Sequence, residues 1–237
     1  MDLNNLRKDE INDRLTLYQI KDGLLFGTDA LILADFICAE STGAYKSGVE
    51  FGAGSGVISL LLAARGKIKL IYALEIQEVY AGLANYNVKA NGFCDNIKII
   101  HADLKDRDNL YYNGARIPPH SAGVIFTNPP YIKYTRDAGT SGMLSPLDYK
   151  NIARREIACD IFDILKSAAR LLKNGGDFYI VYRPDRLQSL FAAMTACNIV
   201  PKKANFVFAG RDKPASLVLI KGRQGAGEGM TVSSIFV

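Results

Sequence analysis

The sequence has no long apolar run and few of the residues that form disulfides or hold metals. Only four of its 237 residues are cysteine and two are histidine. The cysteines lie far apart without a Cys-x-x-Cys pair, and neither histidine has metal-ligand spacing to them. No apolar segment approaches the roughly 20 residues that span a bilayer, and the polar first 14 residues do not resemble a signal peptide. We therefore expect a cytoplasmic protein with no metal and no membrane segment.

Repeats and low-complexity tracts are also lacking, and the nearest thing to a linker is the glycine-rich stretch of residues 223–229. With 49% hydrophobic residues, the chain can build a sizeable core. We expect one monomeric domain over residues 1–237, with an N-terminal segment (1–47) and a core (48–237).

The net charge of +5 suits a polyanionic partner such as nucleic acid. A mild excess of lysine can equally serve solubility alone. Charge by itself therefore leaves both interpretations open.

Seven short apolar, β-branched segments predict strands. They lie at residues 49–51, 68–74, 97–100, 124–127, 178–182, 205–208 and 217–220. Helical periodicity separates the first five, most clearly at residues 156–173, where Gly175 and Gly176 are the predicted stop. This alternation predicts an α/β fold: a mostly parallel, doubly wound sheet of seven strands with helices on both faces. Since the last two strands follow each other without a long helix, we expect an antiparallel pair at one edge.

A glycine-rich turn follows the first predicted strand, where residues 50–56 read Glu-Phe-Gly-Ala-Gly-Ser-Gly. Glycines let backbone amides and a helix N-terminus approach a ligand closely. Dinucleotide-binding turns require Gly-x-Gly-x-x-Gly, whereas the spacing here is Gly-x-Gly-x-Gly. The turn resembles the first motif of the Rossmann-like class I methyltransferases, which bind S-adenosylmethionine. The resemblance implies cofactor-binding roles for Glu50, Gly52, Gly54 and Gly56.

Two carboxylates follow the next two predicted strands. Glu75 ends the second strand, where such folds bind ribose hydroxyls. Asp103 follows the third, and in the methyltransferase fold an Asp at this place lies beside the adenine amino group. Their neighbours Ile76 and Leu104 complete the predicted cofactor site. A glycine-rich turn alone is weak evidence, but three features at successive strand ends converge where α/β sheets bind ligands.

Asn128-Pro129-Pro130-Tyr131 follows the fourth predicted strand. An adenine amine or a carboxamide is a poor nucleophile because its lone pair is delocalised. If the Asn128 side-chain oxygen and the Pro129 carbonyl each accept one N–H, the nitrogen is drawn toward tetrahedral geometry and its lone pair is localised. Tyr131 offers an aromatic face for a flipped-out base, and no ionised general base is required. In isolation the same residues could simply form a turn.

This motif resembles the fourth motif of methyltransferases that act on adenine N6, guanine N2 or protein glutamine. We therefore predict that Asn128, Pro129, Pro130 and Tyr131 are the catalytic residues, with Asn128 also touching the cofactor.

Residues 17–34 resemble the opening of the bacterial tRNA1(Val) adenine-N6 methyltransferases, which modify the adenosine next to the anticodon. Their pattern of Gln, Phe-x-x-Asp and Leu-Leu-Ala is met by Gln19, Phe26, Asp29 and residues 31–34. The resemblance continues at residues 153–156, 171–176, 183–187 and 215–229, and so covers nearly the whole chain.

The resemblance implies that residues 1–47 pack over the cofactor site, with Gln19, Thr28 and Asp29 at its methionine end. The alternative for these residues is a helix cap, because Asp29 precedes an apolar helical run. Residues 132–149 match no pattern of that family, and such loops decide substrate choice.

The expected function is S-adenosylmethionine-dependent methylation of an adenosine N6 amine in tRNA. A release-factor-type glutamine methyltransferase is the nearest alternative, but those enzymes carry a helical domain before the cofactor motif, and only about 48 residues precede it here. A ribosomal guanine-N2 methyltransferase more often has Phe after the prolines. A non-catalytic RNA-binding protein would usually have lost the Asn or a glycine.

Overall fold

A central eight-stranded sheet organises the residues that the computed structural model describes, which are 3–21, 23, 25–129 and 159–237. The first half of the chain contains a 3-10 turn (Leu3–Asn5), β1 (Leu6–Asn12), β2 (Leu15–Ile20), α1 (Thr28–Glu40), β3 (Tyr45–Phe51), α2 (Val57–Ala64), β4 (Ile68–Glu75), α3 (Glu78–Ala90), β5 (Ile97–His101), β6 (Tyr111–Tyr112) and β7 (Ala115–Arg116). The second contains β8 (Ala122–Thr127), α4 (Ile161–Leu171), β9 (Leu172–Tyr182), a further 3-10 turn (Pro184–Arg186), α5 (Leu187–Ala196), β10 (Ile199–Phe208), β11 (Ala215–Gln224) and β12 (Thr231–Phe236).

The sheet order is β12-β10-β11-β9-β8-β3-β4-β5. Strands β5, β4, β3, β8 and β9 are parallel to one another, whereas β11 runs antiparallel to both β9 and β10. All seven predicted strands and the antiparallel pair are confirmed.

The sheet extends one strand beyond the prediction, because β12 pairs in parallel with β10. Its sequence, Thr-Val-Ser-Ser-Ile-Phe, is mostly exposed at the edge and lacks a continuous apolar run. This exposure explains why the pattern of buried strands did not identify it.

Helices cover both faces of the sheet, as predicted. Val124 and Phe126 belong to the core cluster that includes residues of α1 and α2, whereas Ile125 belongs to the cluster with α4 and α5. This alternation is what period-2 side-chain geometry requires of a strand buried on both faces.

Helix α4 ends before the glycines that were predicted to stop it. Leu172 adopts an extended conformation, and β9 begins there, so that Gly175 and Gly176 lie inside the strand. At the other end, Asp160 accepts a hydrogen bond from the Asp163 backbone N–H at 2.8 Å and forms a capping box. Residues 156–158 of the predicted helix lie outside the described residues.

Residues before α1 form an antiparallel hairpin, β1–β2, which was not predicted. Leu15 and Leu17 enter the core, while Ile20 packs against Tyr80 and Leu83 of α3. Within the described part of the chain, no helix is long and apolar enough to cross a membrane, and no group of three or more metal-ligating side chains is assembled.

Candidate cofactor and substrate site

The glycine-rich turn joins β3 to α2 through three residues of positive φ. Gly52, Gly54 and Gly56 have φ values of 69°, 54° and 81°, a region that strains residues with a Cβ. A Cβ added at Gly52 or Gly54 would meet no described atom within 4 Å, so conformation and not crowding requires glycine there. Among the described residues, the turn thus leaves open space beside its backbone, and it leads directly into the N-terminus of α2.

Glu75, at the end of β4, supports this turn from the neighbouring strand. Its carboxylate is 5% exposed and accepts hydrogen bonds from the backbone N–H groups of Gly54 at 2.8 Å and Gln77 at 2.9 Å. Burial raises the pKa of this carboxyl, and the backbone hydrogen bonds oppose that rise. Each oxygen has a second lone pair that a ribose hydroxyl could use. The adjacent Ile76 is partly exposed, and its carbonyl bonds a His101 ring nitrogen at 3.0 Å.

Glu50, at the end of β3, lies deeper than the other candidate carboxylates. It is 1% exposed and accepts a short hydrogen bond from the Ser59 hydroxyl of α2. Burial raises the pKa of Glu50 to about 8, although the Ser59 bond lowers it in part. The carboxyl therefore ties the strand before the turn to the helix after it, and its predicted contact with a cofactor remains a prediction.

Asp103 follows β5, the next strand in the sheet. Its side chain is 36% exposed and accepts a hydrogen bond from the Lys105 backbone N–H at 2.8 Å. The carbonyl of Leu104 accepts one from the Ser167 hydroxyl at 2.8 Å, which fixes this loop to α4. Asp103 therefore presents a partly exposed carboxylate on an anchored loop.

Asn128 follows the completely buried strand β8. Thr127 lies opposite Phe51 in the parallel pairing with β3, and its hydroxyl donates to the Phe51 carbonyl at 2.9 Å. This register places Asn128 beside the start of the glycine-rich turn. Asn128 is half-buried and Pro129 is buried, while Pro130 and Tyr131 lie outside the described residues.

The structure thus brings four sets of predicted residues to the carboxyl ends of adjacent strands, on one side of the sheet. The turn after β3, Glu75, Asp103 and Asn128 all follow neighbouring parallel strands. Parallel α/β sheets bind their ligands beyond these carboxyl ends.

The N-terminal candidates lie on the two sides of the connection between β2 and α1, with Gln19 near the end of β2 and Thr28 and Asp29 in the first turn of α1. Gln19 is fully buried; its side-chain oxygen accepts from the Phe26 backbone N–H at 2.8 Å, and its amide nitrogen donates to Asp9 at 2.6 Å. The alternative prediction that Asp29 caps α1 is wrong, because the N-cap of α1 is Gly27 and Asp29 lies inside the first turn. Thr28 is exposed and Asp29 is half-buried. Roles for Gln19, Thr28 and Asp29 at the cofactor remain predictions.

Sequence reasoning missed Asn87 on α3, which touches the glycine-rich turn. Its side chain is fully buried and donates to the Ser55 carbonyl at 2.9 Å. The available signal was the pair Asn87 and Asn91, which lie four residues apart and so share one helical face.

No protein-family model matches the chain. Its sequence is 30% identical over 172 residues to the tRNA1(Val) (adenine(37)-N6)-methyltransferase of Dyadobacter fermentans, covering 73% of this chain and 64% of that protein. The protein of the same name from Bacteroides thetaiotaomicron is 31% identical over 173 residues, which are 73% of this chain and 65% of that protein. The chain therefore spans slightly less than two thirds of these relatives. A third, from Tolumonas auensis, is 26% identical over 82% of this chain and 74% of its own length.

Solved structures of a predicted methyltransferase and of an AdoMet-bound protein share the fold. A predicted O-methyltransferase from Agrobacterium tumefaciens has a TM-score of 0.65 at 19% identity, covering 88% of this chain and 86% of its own. M. jannaschii TYW2 in complex with AdoMet has a TM-score of 0.58 at 12% identity, with coverages of 92% and 85%. The chain thus has the Rossmann-like fold of the class I methyltransferases, and it is a sequence relative of the tRNA1(Val) (adenine(37)-N6)-methyltransferases.

Proposed function

We propose that this protein is an S-adenosylmethionine-dependent methyltransferase acting on the N6 amine of an adenosine in tRNA. The observation that carries the proposal is the convergence of the glycine-rich turn, Glu75, Asp103 and Asn128 at the carboxyl ends of four adjacent parallel strands. The relatives named for this activity support the choice of adenosine in tRNA.

The described residues fit S-adenosylmethionine in their chemistry. The backbone at Gly52 and Gly54 borders open space, the Glu75 oxygens retain acceptor capacity for the ribose hydroxyls, and Asp103 can accept from the adenine amino group. When bound, the cofactor supplies an electrophilic methyl group on a sulfonium. On this proposal, residues 1–47 cover the methionine end of the site, where they contribute Gln19, Thr28 and Asp29. They form one domain with the rest of the chain, 1–237.

Asn128 and Pro129 are the proposed catalytic residues of the described chain. The Asn128 side-chain oxygen and the Pro129 carbonyl each accept one N–H of the adenosine amine, which localises its lone pair for attack. The nitrogen would gain the methyl group as the bond between that methyl and the sulfonium sulfur breaks, which would leave a neutral thioether, and would then release a proton to solvent, so no ionised base has to act first. In the rest of the motif, Pro130 would orient the backbone and Tyr131 would stack on the base.

The net charge of +5 supports an RNA partner. Modification of tRNA also implies that the protein acts in the cytoplasm, and one copy carries every proposed catalytic group, so a monomer suffices.

The decisive experiment supplies the purified protein with radiolabelled S-adenosylmethionine and, separately, with total tRNA, ribosomal RNA and release factors. The labelled product is digested and identified by mass spectrometry, with Asn128→Ala as the control protein. Label in N6-methyladenosine from tRNA supports the proposal. Label in a release-factor glutamine or in a ribosomal guanine contradicts the proposed substrate, and cofactor binding without label in any substrate contradicts the proposed activity.

A further inference from the structure

Two side-chain amides, of Asn87 on α3 and of Asn91 at the C-cap of α3, bind the outer edge of β2. Asn91 accepts from the Thr16 backbone N–H at 2.9 Å and donates to the Thr16 carbonyl at 2.7 Å. Asn87 repeats this pattern with Tyr18, accepting at 2.8 Å and donating at 2.9 Å. Residues two apart on a strand point the same way, and residues four apart on a helix share a face, so the two pairs are matched in spacing. The hairpin is thereby hydrogen-bonded to α3 as a strand is to its neighbour.

Asn87 makes an additional bond that reaches the glycine-rich turn. Its amide nitrogen donates one hydrogen to the Tyr18 carbonyl and the other to the Ser55 carbonyl, both at 2.9 Å. Among the hydrogen bonds described for these two asparagines, only those of Asn87 reach the turn. The side chain is fully buried, so a lost partner could not readily be replaced by water.

The turn also lies close to α3 beside this connection. A Cβ added at Gly56, one residue beyond Ser55, would lie 3.4 Å from the Cβ of Ala84, three residues before Asn87 on α3. On the hairpin side, Gln19 follows Tyr18 directly and binds the Phe26 backbone just before α1. One amide therefore lies between the turn and the segment that carries the N-terminal candidates.

We propose that Asn87 is a positioning residue that couples docking of the N-terminal hairpin to the conformation of the glycine-rich turn, so that hairpin docking and binding of S-adenosylmethionine strengthen each other. The ligand in this inference rests on the proposed function, whereas the structural coupling does not. Since coupling between two sites is reciprocal, the cofactor must also stabilise the docked hairpin.

The test compares Asn87→Ala with Asn91→Ala, a control that removes the same type of hairpin bond, together with the Asn91 bond to the Asn87 carbonyl at 2.8 Å, but leaves the Ser55 contact. Amide hydrogen exchange is measured separately for residues 6–20 and 52–56, without and with S-adenosylmethionine. Both variants should exchange about tenfold faster in the hairpin. Only Asn87→Ala should also exchange faster in the turn and bind the cofactor about 10- to 100-fold more weakly by calorimetry.

Reciprocity provides a second readout that a purely structural role would not affect. The cofactor should slow hairpin exchange in the natural protein and in Asn91→Ala, but much less in Asn87→Ala. Equal cofactor affinities in the two variants, or unchanged turn exchange in Asn87→Ala, would overturn the inference. Asn87→Ser, which keeps one hydroxyl donor, replaces the alanine variant if that variant does not fold. If the natural protein fails to bind S-adenosylmethionine, the proposed function fails, and exchange in the unliganded variants still decides the coupling.

Discussion

The Glu75 carboxylate accepts a hydrogen bond from the Gly54 backbone N–H at 2.8 Å. This bond connects the carboxylate at the end of β4 to the glycine-rich turn after β3. A change at Glu75 therefore acts on the proposed ribose contact and on the shape of the turn together.

Replacement of Glu75 by Gln should weaken S-adenosylmethionine binding by about 1.5 to 3 kcal/mol, the range for hydrogen bonds to charged groups. A Gln amide has one acceptor oxygen, so it cannot accept from both Gly54 and Gln77 through separate oxygens as the carboxylate does. Titration calorimetry would measure the affinity. Glu78→Gln, on the exposed start of α3, controls for the charge change, and equal affinities in the two variants would refute the ribose assignment.

Asn128→Ala should lower the rate of methyl transfer by at least about 100-fold, while cofactor affinity survives, because the amide acts mainly on the incoming amine. Single-turnover transfer assays and calorimetry separate the two quantities. The exposed Asn109 offers a control, Asn109→Ala, which should keep full activity. Substantial turnover by Asn128→Ala would exclude the proposed mechanism.

Asp103→Ala should weaken cofactor binding by about 1 to 3 kcal/mol, the cost of leaving a hydrogen-bond donor without its partner, and should affect RNA binding less. Calorimetry with S-adenosylmethionine and a filter-binding assay with tRNA measure the two affinities. Asp106→Ala removes an exposed carboxylate from the same loop and serves as the control. If cofactor affinity is unchanged in Asp103→Ala, Asp103 is not the adenine contact.

Stability of the unliganded protein should depend on pH through Glu50. Its pKa rises from 4.5 to about 8 on folding, so the folded state binds the proton more tightly. The natural protein should therefore lose stability as pH rises from about 4.5 to 8, whereas Glu50→Gln cannot titrate. The variant should match the natural protein near pH 5 and exceed it above pH 8, by an amount of the order of a few kcal/mol.

Urea unfolding of both proteins between pH 5 and 9 would measure this difference, with Glu78→Gln as the control for an exposed carboxylate. A difference between Glu50→Gln and the natural protein that does not change with pH would show that Glu50 does not bind a proton on folding.

The central strands were predictable because a strand buried on both faces is a continuous apolar run. The hairpin was not, because β1 is Leu-Arg-Lys-Asp-Glu-Ile-Asn and has little apolar periodicity. The hairpin is held through β2, which is hydrogen-bonded to Asn87 on α3 and to Asn91 at its C-cap. Such long-range contacts leave no local signal in the sequence. Gly175 failed as a helix stop for a similar reason, since pairing of β9 with β8 and β11 continues the strand beyond it.

For the candidate site, too, some features were predictable from the sequence and others were not. Spacing correctly placed the turn, Glu75, Asp103 and Asn128 together, because the carboxyl ends of neighbouring parallel strands lie on the same side of the sheet. Spacing did not reveal that the buried Glu50 carboxylate binds the Ser59 hydroxyl inside the fold. It also suggested Asp29 as the cap of α1, where the backbone of Gly27 begins the helix instead.

Asn87 and Asn91 also affect how readily two molecules can associate. A strand at the edge of a hairpin usually offers unpaired backbone groups to which a strand of another chain can add, and natural proteins protect such edges. At Thr16 and Tyr18 both backbone groups are already bonded to side chains of the same molecule. A two-stranded hairpin, which is marginally stable alone, thereby offers no unpaired backbone group at these two residues to a strand of a second copy.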